Sequence, residues 1–432
     1  MAIAGPRVDG EAHAPAECAE EKTVQPKVFL IFLTLAALFC FSMFHRALVA
    51  VISPDLMRDL SLDAEKLGIL GAVFFYAFAL VQLPLGPLLD RFSPGLIMGL
   101  SSLIAGAGVL LFGISESFLG ATIGRILVGA GMACVLMGSL KVFTMIFPKQ
   151  RFATVSGLFI AVGTLGSFLA TSPLAWLDIK MGWRMTLLFF GLATMVLGLA
   201  VFSILRSIQP KKMTDTSAMC GQGQNLLQTV KTIAGSLSFW QISALAFCQY
   251  GTYIALQGLW LGLYLIESRG YSAVGAGHIL AMLVVGNALG SLCAGWLSDR
   301  VFSSKKVASL FGLGLYCLSM IPLLGILPLQ GVIWDGMIHF SIGFFRAFGV
   351  LLYGHVKDLY PMDLAGTAMT WVNFFVAAGG AFFMHFMGKV IEIFPRTGQI
   401  YSQSAYHAAF RICFVSMAAS LVFYAFSRKE MS

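Results

Sequence analysis

GPLLDR at residues 86–91 and GWLSDR at residues 295–300 are two copies of one pattern, G-x-L-x-D-R, which recurs after 209 residues. Each copy ends the second long apolar segment of its half of the chain. One copy would be weak evidence, but two copies at equivalent positions indicate an internal repeat. The sequence therefore predicts two homologous halves.

The composition indicates an integral membrane protein. Of the 432 residues, 58% are hydrophobic and only 11% are charged, whereas a soluble domain has about 25% charged residues. So few charges could not cover the surface of a water-soluble globule. The apolar segments run for about 20 residues, the length of a membrane-spanning helix. These properties exclude a cytosolic enzyme, a disordered protein and a secreted disulfide scaffold.

Twelve apolar segments are long enough to cross a bilayer, and they predict an all-α membrane protein with twelve transmembrane helices in two six-helix bundles. A polar stretch separates six segments from the other six. The predicted order is an N-terminal tail at 1–27, a first bundle at 28–206, a linker at 207–237, a second bundle at 238–427 and a C-terminal tail at 428–432.

The basic residues predict the orientation of these helices. Loops on the side of the two tails hold most of the Lys and Arg residues, and the opposite loops hold few. Cytoplasmic loops collect positive charge, so both termini are predicted to be cytoplasmic, in a multi-pass protein of the inner (plasma) membrane. Membrane topology accounts for the net charge of +8, and no nucleic-acid partner is expected.

In these repeated motifs the chain resembles the major facilitator superfamily. The paired G-x-L-x-D-R pattern is similar to the family's signature loops, and GRILVGAG at 124–131 resembles its fourth-span signature. The resemblance implies a secondary transporter that works by alternating access, with both bundles in one chain that functions as a monomer. It also implies a gating motif formed by Gly86, Asp90, Arg91, Arg125, Gly295, Asp299 and Arg300.

Two features depart from the family pattern. The first copy of the loop lacks the closing basic pair that Lys305 and Lys306 supply in the second copy. The fifth span lacks the Gly-Pro-rich run of many drug/proton antiporters. Drug efflux is therefore disfavoured, although it stays open as an alternative.

Charged residues inside the apolar segments suggest the substrate. Arg46, Lys141 and Arg346 lie within the first, fourth and tenth spans, which line the cavity in the resembled family. A charge at mid-bilayer costs about 2.5–3.5 kcal/mol on insertion scales, so it should face protein or water. No carboxylate lies mid-span. The cavity is therefore expected to be cationic and to bind a small anion.

The organic-anion and organophosphate branches of the family provide the nearest resemblance, because they contact the anion through an arginine at the position of Arg46. The organophosphate branch has a second arginine in the seventh span, where this chain has none, so a carboxylate is favoured over a phosphate ester. The remaining substrate-binding candidates are Gln249, Gln257, Tyr253, Trp260 and Asn373, while Asn287 is assigned to helix packing.

The coupling mode stays open between proton symport and anion exchange. The proton-coupling candidates are His45, His339, Asp55 and Asp335. No phosphate-binding loop, metal-ligand cluster or catalytic constellation is found, so ATP drive, a metal, a cofactor and enzyme activity are not expected. The alternatives are a siderophore, metal-chelate or drug transporter of the same fold, and a transporter-like solute sensor.

Overall fold

The computed structural model describes residues 17–206, 231–327, 329–360, 362–397 and 400–427. The helices of the N-terminal half are α1 Glu17–Ala47, α2 Val49–Asp59, α3 Ala64–Arg91, α4 Pro94–Ile114, α5 Phe118–Met132, α6 Cys134–Ile146, α7 Lys149–Leu169 and α8 Ser172–Leu205. Those of the C-terminal half are α9 Leu237–Ala255, α10 Leu261–Glu267, α11 Ala273–Leu297, α12 Lys305–Ser319, α13 Val332–Arg346, α14 Leu351–Leu359, α15 Met362–Glu392 and α16 Gln403–Ala425. The tail up to residue 16, the linker at 207–230 and the last five residues lie outside the described residues.

All twelve predicted apolar segments are helical, which confirms the prediction of an all-α membrane fold. In the described residues, ten helical segments are long and apolar enough to cross a membrane. The fifth predicted span, α7, has a shorter apolar stretch at Thr154–Leu169. The seventh is divided between α9 and α10 by a π-helical turn, Leu256–Trp260.

The first, fourth, seventh and tenth predicted spans share an interruption that the sequence did not predict. The breaks lie at Leu48, at Ala133, at the π turn Leu256–Trp260 and at the 3₁₀ turn Ala347–Val350. Irregular turns of this kind are often found at functional sites in membrane helices. Arg46 precedes the first break by two residues, and Arg346 immediately precedes the last.

Packing within each half is organised by helices that approach closely. In the N-terminal half α4 packs on α5 and α8, α3 packs on α5, and α1 packs on α7. In the C-terminal half α11 packs on α13, and α9 packs on α15 and α16. The main contact between the halves is α3 against α15. We call the end that carries residues 91 and 300 the inner end, because the sequence predicts it to be cytoplasmic, and the opposite end the outer end.

The two halves touch at the outer end. The backbone N–H of Ala64, which begins α3, donates to a Glu392 carboxylate oxygen at 3.0 Å and to the Tyr401 hydroxyl at 2.9 Å. Tyr401 lies in a short antiparallel hairpin, β1 Arg396–Thr397 with β2 Ile400–Tyr401. Close by, a Cβ atom added to Gly68 would lie 2.9 Å from the Met384 carbonyl oxygen. The outer end of the α3–α15 contact is therefore closed.

Candidate functional site

Two arginines, one from each half, converge on Tyr250 at the centre of the molecule. Arg46 Nη1 donates to the Tyr250 hydroxyl at 3.4 Å, and its Cζ atom lies 4.4 Å from the ring centroid of Phe78. The Cζ atom of Arg346 lies 4.5 Å from the ring centroid of Tyr253 and 5.1 Å from that of Tyr250. Aromatic faces attract cations and can hold a guanidinium without neutralising it.

A close crossing of α11 and α13 places Asn287 beside Arg346. A Cβ atom added to Gly343 would lie 1.9 Å from the Leu283 carbonyl oxygen, and one added to Gly290 would lie 2.1 Å from the Phe344 carbonyl oxygen. Only glycine permits this approach. At the crossing, Arg346 Nη1 donates to Asn287 Oδ1 at 3.0 Å.

Both guanidinium groups lack a negative partner in the described part of the chain. Neither Arg46 nor Arg346 forms an ion pair with an Asp or Glu there. The Nε atom of each is buried and has no hydrogen-bond partner among the described residues. Cations in a protein interior that have no negative partner are costly, and membrane proteins place them where an ion pathway or ligand needs them. The centre of the molecule is thus positively charged.

A chain of neutral polar side chains adjoins the arginines. The Tyr353 hydroxyl donates to Asn373 Oδ1 at 3.0 Å, and Asn373 Nδ2 donates to Gln82 Oε1 at 2.6 Å. Gln82 belongs to α3 and Asn373 to α15, so this chain crosses between the halves. The sequence analysis did not select Gln82. Its position one helical turn after Phe78 in an apolar segment is the signal that could have found it, because a buried amide needs partners.

The other substrate-binding candidates occupy different surroundings. Gln249 is buried, and its Oε1 atom has no hydrogen-bond partner in the described residues. Gln257 is buried in the π turn of the seventh span. Trp260 Nε1 donates to the Met384 carbonyl at 3.0 Å, so this side chain ties the seventh span to α15 near the outer end. Lys141 Nζ donates to the Leu89 carbonyl at 2.6 Å, toward the inner end of α3.

Arg125 is surrounded by backbone carbonyl groups. Its Nη1 donates to the His45 carbonyl at 2.9 Å and its Nε to the Leu70 carbonyl at 3.3 Å. The ring of His45 turns the other way and shares a hydrogen bond of 3.1 Å with the Thr194 hydroxyl. Arg125 therefore joins the first, second and fourth spans, and His45 joins the first span to α8.

The other three proton-coupling candidates lie toward the outer end. His339 Nδ1 lies 2.6 Å from the Asp335 carbonyl, and the Asp335 carboxylate accepts from the Tyr271 hydroxyl at 2.8 Å. Asp55 pairs with Arg58 at 2.6 Å and lines an outer cavity of about 590 Å³. In the described residues, none of the hydrogen bonds or ion pairs of these three side chains is to Arg46 or Arg346.

The gating-motif residues at the inner end are largely exposed. Arg91, Asp299 and Arg300 are exposed, the last two in a π-helical turn at Ser298–Phe302. A Cβ atom added to Gly295 would meet nothing within 4 Å. Gly86 and Asp90 lie in α3, and neither the exposure of Gly86 nor the side chain of Asp90 is among the described features.

Comparison with known proteins identifies the family. The model of the Major Facilitator Superfamily matches residues 34–384. A probable hexose phosphate transport protein of Chlamydia pneumoniae is 24% identical, covering 85% of this chain and 86% of its own length. A probable galactarate/D-glucarate transporter of Bacillus subtilis is 26% identical, covering 81% of each chain. A membrane sensor protein of Escherichia coli is 22% identical, covering 85% of this chain and 87% of its own.

A solved structure shows the same fold. The crystal structure of a bacterial homologue of the human lysosomal transporter Spinster, in an inward-facing and occupied conformation, superposes with a TM-score of 0.75. The superposed region covers 93% of this chain and 97% of the homologue's chain, at 17% sequence identity. The superposition shows the shared fold, and the family match over residues 34–384, with the apolar helices, shows that the chain belongs to the Major Facilitator Superfamily and is a multi-pass transporter of the inner membrane.

Proposed function

We propose that this transporter moves a small hydroxylated organic anion of the sugar-acid type by alternating access, and that Arg46 and Arg346 bind its acidic groups. The observation that carries the proposal is the pair of central guanidinium groups, one from each half, that have no carboxylate partner in the described residues. An arginine offers a planar fork that matches a carboxylate.

The neutral groups around the arginines support a hydroxyl-rich solute. Tyr250, Tyr353, Asn373 and Gln82 present phenol and amide groups, which both donate and accept hydrogen bonds. The relatives named for galactarate, D-glucarate and hexose phosphate are proteins whose named solutes carry hydroxyl groups and negative charge. This agreement supports an anionic sugar derivative.

The placement of the site between the halves supports alternating access. Arg46 belongs to one half and Arg346 to the other, so a solute bound by both bridges the moving parts.

For coupling, we favour exchange of anions over proton symport. The reason is that the described contacts of both arginines are to tyrosine, phenylalanine and asparagine, none of which titrates near neutral pH.

Counterflow into liposomes tests the proposal. Purified protein is reconstituted with D-glucarate, gluconate, glucose 6-phosphate or neutral glucose inside, and entry of the labelled solute is measured. We expect saturable counterflow of an acidic sugar, lowered about tenfold or more in Arg46→Ala and Arg346→Ala, because a charge-assisted hydrogen bond is lost. Arg206→Ala is the matched control, since Arg206 is exposed at the inner end.

Two outcomes would contradict the proposal. Movement of neutral glucose without competition from any anion would mean that the arginines are structural. Saturable binding of an anion without counterflow would indicate a solute sensor instead, as one relative is named.

A further inference from the structure

We infer that the solute is a dianion and that Asn287 is the residue that sets this charge requirement. The inference rests on the proposed anion-binding role of Arg46 and Arg346. Asn287, which its small-residue surroundings assign to helix packing in the sequence, then determines which charge number the solute can have.

The charge balance of the site is set by its two arginines. Arg46 and Arg346 both approach Tyr250, so two positive charges lie close to one side chain. Like charges repel, and the repulsion is stronger away from bulk water. Every described polar or aromatic contact of the two groups is with a neutral side chain. A solute with two negative charges would balance the site, whereas a monoanion would leave one cation uncompensated.

Among the described residues, Arg346 forms one hydrogen bond, to Asn287. Asn287 Oδ1 accepts from Arg346 Nη1 at 3.0 Å. An Asp has almost the same shape as an Asn, and at this distance its carboxylate would form an ion pair with the guanidinium. The amide therefore fixes the direction of the Arg346 side chain and leaves its charge available. Replacing the Asn287 amide by an Asp carboxylate would therefore place on the protein one of the two negative charges that the solute supplies in the unchanged site.

The crossing of α11 and α13 holds this arrangement in place. Gly343 lies against the backbone of α11 next to Asn287, whose N atom would be 3.0 Å from an added Cβ. The backbones on both sides of the hydrogen bond are thus fixed by close packing. An Asp introduced at residue 287 would meet the same guanidinium that the amide meets.

The test compares two probes that differ in charge. Gluconate and D-glucarate share a six-carbon hydroxylated chain, with one carboxylate in gluconate and two in D-glucarate. Binding of each to the full-length purified protein is measured by calorimetry. For the unchanged protein we expect D-glucarate to bind about tenfold or more tightly than gluconate, the effect of one additional charge-assisted contact.

Asn287→Asp is the decisive variant. We expect it to weaken D-glucarate binding about tenfold or more and to abolish or reverse the preference for the dianion. Asn287→Ala removes the hydrogen bond but adds no charge. This variant should therefore bind D-glucarate more weakly but keep the preference for D-glucarate over gluconate. Ser304→Asp is the charge control: Ser304 caps α12 by accepting from Val307, and Asp caps a helix equally well at the inner loop.

The outcomes separate this inference from the proposed function. Equal binding of gluconate and D-glucarate by the unchanged protein would overturn the dianion inference alone. An unchanged preference in a folded Asn287→Asp variant would overturn the role of Asn287. Absence of binding by any anion, together with counterflow of a neutral solute, would overturn the proposed function itself.

Discussion

Arg46 and Arg125 show how differently one residue type can be used within a single half. Both guanidinium groups are in the interior, but Arg125 donates to two backbone carbonyls while Arg46 donates only to the Tyr250 hydroxyl in the described structure. A carbonyl-bound guanidinium ties helices together. A guanidinium that faces aromatic rings keeps donors free for a ligand.

Arg125→Gln should therefore reduce stability and leave ligand affinity nearly unchanged. The variant leaves the carbonyls of His45 and Leu70 short of a donor, and each unsatisfied buried group costs about 1–3 kcal/mol. Thermal unfolding in detergent should show a lower Tm, with the Kd for the anion within about threefold of the unchanged protein. A large loss of affinity at unchanged Tm would place Arg125 in the binding site instead.

For a single residue, the sequence predicts how deep it lies within an apolar span, but not the direction in which its side chain points. Arg46 and Arg346 were selected because charges are rare in apolar spans, and the structure brings them to one tyrosine. Lys141 lies in a predicted cavity helix by the same argument, yet its Nζ is directed to the Leu89 carbonyl. Hydropathy reports how polar a position is, and only packing decides where its side chain points.

At the scale of the helix, the apolar runs predicted every span but none of the four central interruptions. Leu48 and Ala133 are themselves neither glycine nor proline, so the residues at these two breaks do not signal them. Burial supplies a physical reason: irregular backbone is tolerated at membrane depth where protein surrounds it. Val49 and Cys134, just after these breaks, are both buried.

The α11–α13 crossing provides a prediction for a single helix pair. Gly343→Ala should destabilise the protein by about 1–3 kcal/mol, because its Cβ would lie 1.9 Å from the Leu283 carbonyl oxygen and force the helices apart. The Arg346–Asn287 contact should weaken with it, lowering anion affinity. Gly336→Ala on the same helix is the control, since its Cβ would meet nothing nearer than 3.9 Å. Equal Tm values for the two variants would contradict the packing argument.

For the molecule as a whole, the contacts at the outer end are the ones that the proposed alternating access would have to break. The helix start at Ala64 belongs to the N-terminal half, whereas Glu392 and Tyr401 belong to the C-terminal half. The Tyr401 hydroxyl also donates to the Glu392 carboxylate, so these three groups form a closed set. If the solute is released outward, this set has to separate, and its strength then contributes to the cost of opening.

Tyr401→Phe should shift the population toward the outward-open state. The variant loses the one Tyr401 hydroxyl contact that crosses between the halves in the described residues, worth about 1 kcal/mol, so the open fraction should rise roughly fivefold. Spin labels at Lys180 and Ile393, exposed on the outer end of opposite halves, would report a longer distance by pulsed electron paramagnetic resonance. Tyr264→Phe is the matched control, because the buried Tyr264 hydroxyl has no hydrogen-bond partner in the described residues.

The same closure should be insensitive to pH over the neutral range. Burial, followed by the hydrogen bond to Glu392, raises the pKa of Tyr401 to about 12. Because this pKa lies above the ordinary tyrosine value of about 10, the Tyr401 hydroxyl stays protonated throughout the neutral range and keeps its hydrogen bonds there. The label distances should therefore stay constant from about pH 6 to about pH 9. Opening within that range would show that a different titrating group controls the outer end.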